Sequence, residues 1–308
     1  MKINKYILTL LSALIIPLTS CKQLNNSDSI SDDQTNNNEY VNTFSYSLTE
    51  DNSSYIITGI HEINNHDVVI PETYNGKQVT EIDKHAFMYT TIESITIPNS
   101  VVKIGDLAFN GCNYLQKVTL SNNLKSIGSY AFANCIQLVE IKIPNSVTYI
   151  GESAFELCTQ LKSAKLSAKM TKLEPGTFMG CNSLTTVVFS DIMTSIGADS
   201  FHGCKSLTSI ILPNIQTIES YTFAECESLE SITIPESVEV IESYAFWKCN
   251  SLQTITIHTG LKRIKEAAFK ECNSLSSVLY SGTNEQWNKI KIDNNNNSLL
   301  NARIYKEQ

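Results

Sequence analysis

Nine phenylalanines, Phe87, Phe109, Phe132, Phe155, Phe178, Phe201, Phe223, Phe246 and Phe269, follow one another at intervals of 22 or 23 residues along a chain of 308. Around them one pattern recurs: Ile-x4-Ala-Phe-x2-Cys-x2-Leu-x2-Ile-x-Ile-Pro. A unit this short has too few apolar positions to close a core of its own, whereas identical coils stacked on each other bury every inward side chain against a neighbour. The chain is therefore expected to form a mainly β repeat solenoid. Its length alone would have suggested about two globular domains.

Each copy holds a short stretch such as Ile141-Lys142-Ile143 or Ile232-Thr233-Ile234, apolar at its ends and usually polar in the middle. That alternation turns two side chains inward and one outward, as in a strand. A second apolar segment, such as Val147-x-x-Ile150, lies across the coil, and Phe-x-x-Cys-x-x-Leu is long enough only for a helical turn. The expected object is a parallel sheet of about nine strands at roughly 4.8 Å spacing. Pro98, Pro144, Pro213 and Pro235 are expected just after strands, where a missing N–H does least harm. The repeats occupy 81–280. Residues 44–80 keep strand-like runs but lack the signature and read as an N-terminal β cap, while 281–308, with Trp287 placed over the last coil, read as the C-terminal cap.

This motif, together with the capping segment Gly282-Thr283-Asn284-Glu285-Gln286-Trp287, resembles the BspA-like leucine-rich-repeat family of bacterial surface proteins over about residues 55–305. The resemblance implies a leucine-rich-repeat array on a secreted or surface-attached protein, with adhesion among its expected roles. It implies no particular ligand.

The first residues carry Lys2 and Lys5 and then an uncharged apolar run from Tyr6 to Leu18, too short to span a bilayer and typical of a secretory signal, here 1–20. Leu18-Thr19-Ser20-Cys21 resembles the lipobox of bacterial lipoproteins, which implies that Cys21 becomes an acylated first residue held in the lipid bilayer. The expected location is the cell envelope, as an outer-membrane lipoprotein facing outward. Residues 21–43, rich in Asn, Ser and Asp, cannot bury enough surface to offset chain entropy and are expected to be a disordered tether. Without the signal, 21 basic side chains face 31 acidic ones, a formal charge of −10, which argues against nucleic acid as a partner.

Of nine cysteines, eight (Cys112, Cys135, Cys158, Cys181, Cys204, Cys226, Cys249 and Cys272) stand three residues after a repeat phenylalanine, so one structural role covers them all. No Cys-x2-4-Cys pair exists to build a zinc site. Stacked Cα atoms would fall within disulfide range, but parallel Cβ directions disfavour the bond, and buried reduced thiols are expected. Thr90 takes the cysteine's place in the first copy, as if a small buried side chain sufficed.

No catalytic constellation emerges. His61-Glu62-Ile63-Asn64-Asn65-His66 has the wrong spacing for a helical zinc-protease motif and reads as a turn with two exposed imidazoles. His85, His202 and His258 share no register, and there is no nucleophile elbow, phosphate loop or dinucleotide fingerprint. A protein without enzymatic activity, metal or cofactor is expected.

Information about partners must then lie in the outward positions. The middle strand residues run Thr96, Thr119, Lys142, Lys165, Val188, Ile211, Thr233, Thr256 and Leu279, with Val188 and Ile211 forming an apolar pair. A second row, two residues before the phenylalanine, carries Tyr130, Tyr221 and Tyr244, and Trp247 follows its own phenylalanine; exposed aromatics here would suit a protein or a sugar. Between Lys205 and Lys248 there are seven glutamates and no Lys or Arg, a band able to orient a charged partner. The reading is a surface module for protein binding or adhesion; a glycan-binding module built on Tyr221, Tyr244 and Trp247, or an envelope scaffold without external ligand, are its alternatives.

Overall fold

The computed structural model describes residues 42–306. The expected signal and nearly all of the expected tether, with Cys21, lie outside the described residues. The protein is a parallel β solenoid in which each coil stacks on the next in register. Its core is a column: the nine repeat phenylalanines are fully buried, and successive rings lie 4.9 to 5.9 Å apart and within 12° of parallel. Phe44 closes the column at its N-terminal end by meeting Phe87 edge to face at 6.3 Å.

Three sides of each coil can bond to the next. On the first, the face, short strands pair in parallel with Cα partners such as Lys142, Lys165 and Val188. This face ladder runs in three blocks: Asp67–Val69 to Lys117–Thr119, Glu140–Lys142 to Thr186–Val188, and Ser231–Thr233 to Arg303–Lys306. Residues 209–212, where another strand was expected, form none, and Pro213 accordingly does not follow a strand. On the second side, the apolar segments across the coil form a ladder of their own, with two-residue rungs such as Ser126–Ile127 and Tyr149–Ile150. The single expected sheet is thus two ladders, each interrupted.

The third side is the turn around the phenylalanine. Two residues per coil, two before and two after the ring, take left-handed backbone, as at Tyr221 (φ 57°) and Glu225 (φ 56°). Non-glycine residues pay roughly 1–2 kcal/mol for that conformation, and the geometry returns an ordered set of hydrogen bonds. The N–H groups of both left-handed residues and of the phenylalanine donate to the following coil, as Leu107, Phe109 and Gly111 do to the carbonyls of Ser129, Ala131 and Ala133 at 2.7 to 2.8 Å.

Both ends are closed by different means. Thr43–Leu48 pairs antiparallel with Tyr55–Glu62, and Tyr46 stacks on Tyr74 at 3.8 Å. At the other end Trp287 is buried edge-on against Tyr280 at 5.1 Å. A second capping residue escaped the sequence reading: Asn296, fully buried, accepts the Phe269 N–H at 3.0 Å in place of a next coil's carbonyl and donates to the carbonyls of Lys265 and Asp293.

Candidate functional site

The outward row of the face has one place in each coil and is longer than the repeat motif indicated. Val69 precedes Thr96 and Tyr305 follows Leu279, each paired across its ladder. Both were missed because the caps lose the repeat signature that marks the register. Within the row Lys142 and Lys165 are exposed, the Lys142 side chain at 86%, followed by Val188 at 47% and Ile211 at 90%. Val188 and Ile211 line one groove with Phe189, Leu212 and Pro213. At about 4.8 Å per coil, these four side chains form a strip roughly 15 Å long. Among the described residues Lys165 makes no ion pair and Lys142 pairs with Glu140 of its own strand alone, at 3.7 Å.

The aromatic row is assembled differently from the exposed ladder expected. Tyr221 and Tyr244 stack at 5.0 Å with 2° between their planes, and Trp247 stands perpendicular to both. All three are half-buried. His202, unassigned in the sequence reading, extends the stack on the other face of Tyr221 at 6.1 Å and bonds to Asp199 through Nδ1 at 3.0 Å. Lys248 lies over the Trp247 ring at 4.2 Å and pairs with Glu225 at 2.9 Å, holding that carboxyl below the usual range. Burial, and then the neighbouring Tyr244, push the Tyr221 hydroxyl up. Both faces of Tyr221 and one each of Tyr244 and Trp247 are therefore occupied by the protein itself. The Trp247 Nε1 is buried without a partner. Among the described residues Tyr130, in the same row, meets no other ring, because Leu107 and Ser153 hold the corresponding places in the adjacent coils.

The glutamate band is mostly neutralised between coils. Lys205 pairs with Glu227, Lys248 with Glu225, Lys262 with Glu239 and Lys265 with Glu242, at 2.6 to 2.9 Å. Charge separated along the sequence is thus brought together by stacking, and the expected field over a charged partner is correspondingly small.

The eight repeat cysteines are buried free thiols. Each Sγ donates to the carbonyl of the phenylalanine one coil back, at 3.0 to 3.3 Å, from Cys112 on Phe87 to Cys272 on Phe246. Burial pushes up the thiols of Cys135, Cys158, Cys181, Cys204, Cys226 and Cys249, Cys158 to about 12, so these stay protonated and unreactive, whereas the hydrogen bond with Cys135 lowers Cys112 at the end of the column. Thr90, with no repeat phenylalanine before its own, donates its hydroxyl to Phe87 O within its own coil at 2.7 Å. The position calls for a small donor, beyond the small volume that the sequence indicated.

His61 lies in the strand Tyr55–Glu62 against Ser45 Oγ, not in a turn, while His66 bonds to Thr91 O at 2.7 Å through Nδ1. The two rings thus engage separate partners. Among the described residues no group of three or more His, Cys, Asp or Glu is placed to hold a metal ion, and no helix is long and apolar enough to cross a membrane.

Residues 80–207 and 171–299, together well over half of the chain, match the BspA type leucine rich repeat region in six copies. No curated protein matches the chain. Among solved structures, a leucine rich cell surface protein from Faecalibacterium prausnitzii A2-165 is 24% identical, covers 80% of this chain and 96% of its own, and superposes with a TM-score of 0.50. The T. pallidum leucine rich repeat protein TpLRR, also 24% identical, covers 75% and 87% with a TM-score of 0.49. The pneumococcal vaccine antigen PcpA is 20% identical over 77% and 73%, with a TM-score of 0.47.

Proposed function

The chain belongs to the BspA-type leucine-rich-repeat family, and from that premise we propose that it is a non-enzymatic, lipid-anchored protein of the bacterial cell surface that docks another protein on the face of its solenoid. The observation that carries the reading is the strip Lys142, Lys165, Val188 and Ile211, exposed side chains in consecutive coils, the first three paired in register on the face ladder. Two ammonium groups followed by two branched apolar side chains fit a polypeptide surface that presents carboxylates beside an apolar anchor. Anchoring through Cys21 rests on the lipobox resemblance. Surface location is supported by the description of the Faecalibacterium relative as a cell surface protein.

A glycan would need flat aromatic faces open to solvent. The occupied faces of Tyr221, Tyr244 and Trp247 weigh against that reading and suit a stacking role between coils.

The test is photo-cross-linking from position 211 of the full chain on intact cells mixed with host or neighbouring cells, with the same label at Tyr149 on the other ladder as control. A discrete protein adduct is expected from 211 alone, and Lys142→Glu with Lys165→Glu should abolish it. Equal labelling from both positions, or adducts indifferent to the lysine changes, would overturn the proposal.

A further inference from the structure

Neighbouring coils from Phe87 to Phe269 are all joined on the phenylalanine side, and almost all are joined on at least one ladder as well. Where the face ladder lapses between Lys117–Thr119 and Glu140–Lys142, the second ladder continues from Ser126–Ile127 to Tyr149–Ile150. Where the second lapses between Tyr149–Ile150 and Lys172–Leu173, the face continues from Glu140–Lys142 to Ser163–Lys165. One junction has neither. Between the coil of Phe201 and the coil of Phe223, residues 209–212 form no strand, and Ser195–Ile196 does not pair with Thr217–Ile218.

What remains there is the third side. Asp199, Phe201 and Gly203 donate to the carbonyls of Ser220, Thr222 and Ala224, Ser228 donates to Lys205 O, the Cys226 thiol reaches Phe201 O and Lys205 pairs with Glu227; at the foot of the face a single bond, Glu230 N–H to Thr208 O at 3.0 Å, also crosses. The backbone of residues 209–212 has no backbone partner in either neighbouring coil.

The cause is visible in the chain. In the seven other regular coils, the outward face residue and the last residue of the second strand are eight positions apart, as from Lys142 to Ile150 or from Thr233 to Ile241; from Ile211 to Ile218 there are seven. The lost residue falls in the loop joining the two ladders. Pro98-Asn99-Ser100-Val101 and Pro144-Asn145-Ser146-Val147 become Pro213-Asn214-Ile215. A loop one residue short cannot serve both ladders, and a single missing residue in a strand context also misplaces alternate side chains. The first 22-residue interval, Phe87 to Phe109, loses its residue in the other loop and keeps both ladders.

We propose that this junction is a joint built into the solenoid, about which residues 42–208 and 209–306 move and unfold as separate blocks. In a stacked array, cooperativity is carried by nearest-neighbour interfaces, so the interface that neither ladder crosses is where it breaks. The joint stands whatever the face binds. Val188 and Ile211 lie on opposite sides of it, so any partner gripping both would span it.

Two measurements on the full chain test this. In hydrogen exchange, amides of 209–218 should exchange roughly tenfold or more faster than those of 231–241, one coil on. Both tryptophans, Trp247 and Trp287, lie in the second block, so their fluorescence follows that block alone while circular dichroism follows both. The two urea transitions should not coincide. Inserting Ser between Asn214 and Ile215 restores the regular loop, and should slow exchange at 209–218 and bring the transitions together. Coincident transitions in the native chain, or equal protection of 209–218 and 231–241, would overturn the proposal without reference to the insertion variant.

Discussion

The thiol column makes a sharp prediction at Cys158, which is fully buried with Sγ 3.1 Å from Phe132 O. Cys158→Ala removes one buried heavy atom, comparable to a methylene at about 0.8 kcal/mol. The cavity left, roughly 20 Å³ at about 24 cal/mol per Å³, adds about 0.5 kcal/mol. The lost hydrogen bond is weak, and the Phe132 carbonyl keeps the Cys135 N–H at 3.2 Å, so it adds only about 0.5 kcal/mol. The total is about 2 kcal/mol. Cys158→Ser keeps a donor where Thr90 already shows a hydroxyl to be accepted, and should cost about 1 kcal/mol. The check is the urea midpoint by circular dichroism under reducing conditions at constant m. If Ser proves worse than Ala, the site wants apolar volume and the donor argument is wrong.

Three further outcomes are expected. Folded-state pKa values are raised at Cys135, Cys158, Cys181, Cys204, Cys226 and Cys249, chiefly by burial. The neutral thiols therefore stabilise the fold fully below the unfolded pKa near 9, and that contribution is lost as pH rises through the folded values, each thiol costing about tenfold in the folding equilibrium per pH unit. Thermal melts from pH 7 to 11 should fall steeply above pH 9, and a flat profile would refute the assignment. Asn296→Ala orphans the buried Phe269 N–H and should destabilise the last coils by roughly 1–3 kcal/mol, read as faster exchange at 263–272 with little change before residue 200. Gly128→Ala would place a Cβ 2.5 Å from the Asp106 N of the preceding coil, so its midpoint should drop by about 1–3 kcal/mol of overpacking; an unchanged midpoint would mean that the stack gives way freely.

The stacked coils were legible because the phenylalanine column needs one large ring at each fixed interval, and alternation around Lys142 or Thr233 assigns inside and outside directly. The bonded turns were less legible. Left-handed backbone at Tyr221, Leu157 or Lys248 carries no glycine to announce it; the conformation is imposed by hydrogen bonds to the next coil. The shortened interval from Phe201 to Phe223 was visible, but its consequence depends on which loop lost the residue. Of the candidate site, the outward row followed from register alone. The mutual burial of Tyr221, Tyr244, Trp247 and His202 depended on ring orientations that spacing does not encode, and the pairing of the glutamate band depended on which lysine each coil lays over it.

Protease shaving of intact cells, with mass spectrometry of this chain, tests the surface reading most directly. Loss of peptides from the repeats while cytoplasmic proteins stay whole is the outcome the account predicts. Full protection of the repeats on intact cells, with digestion only after lysis, would contradict it.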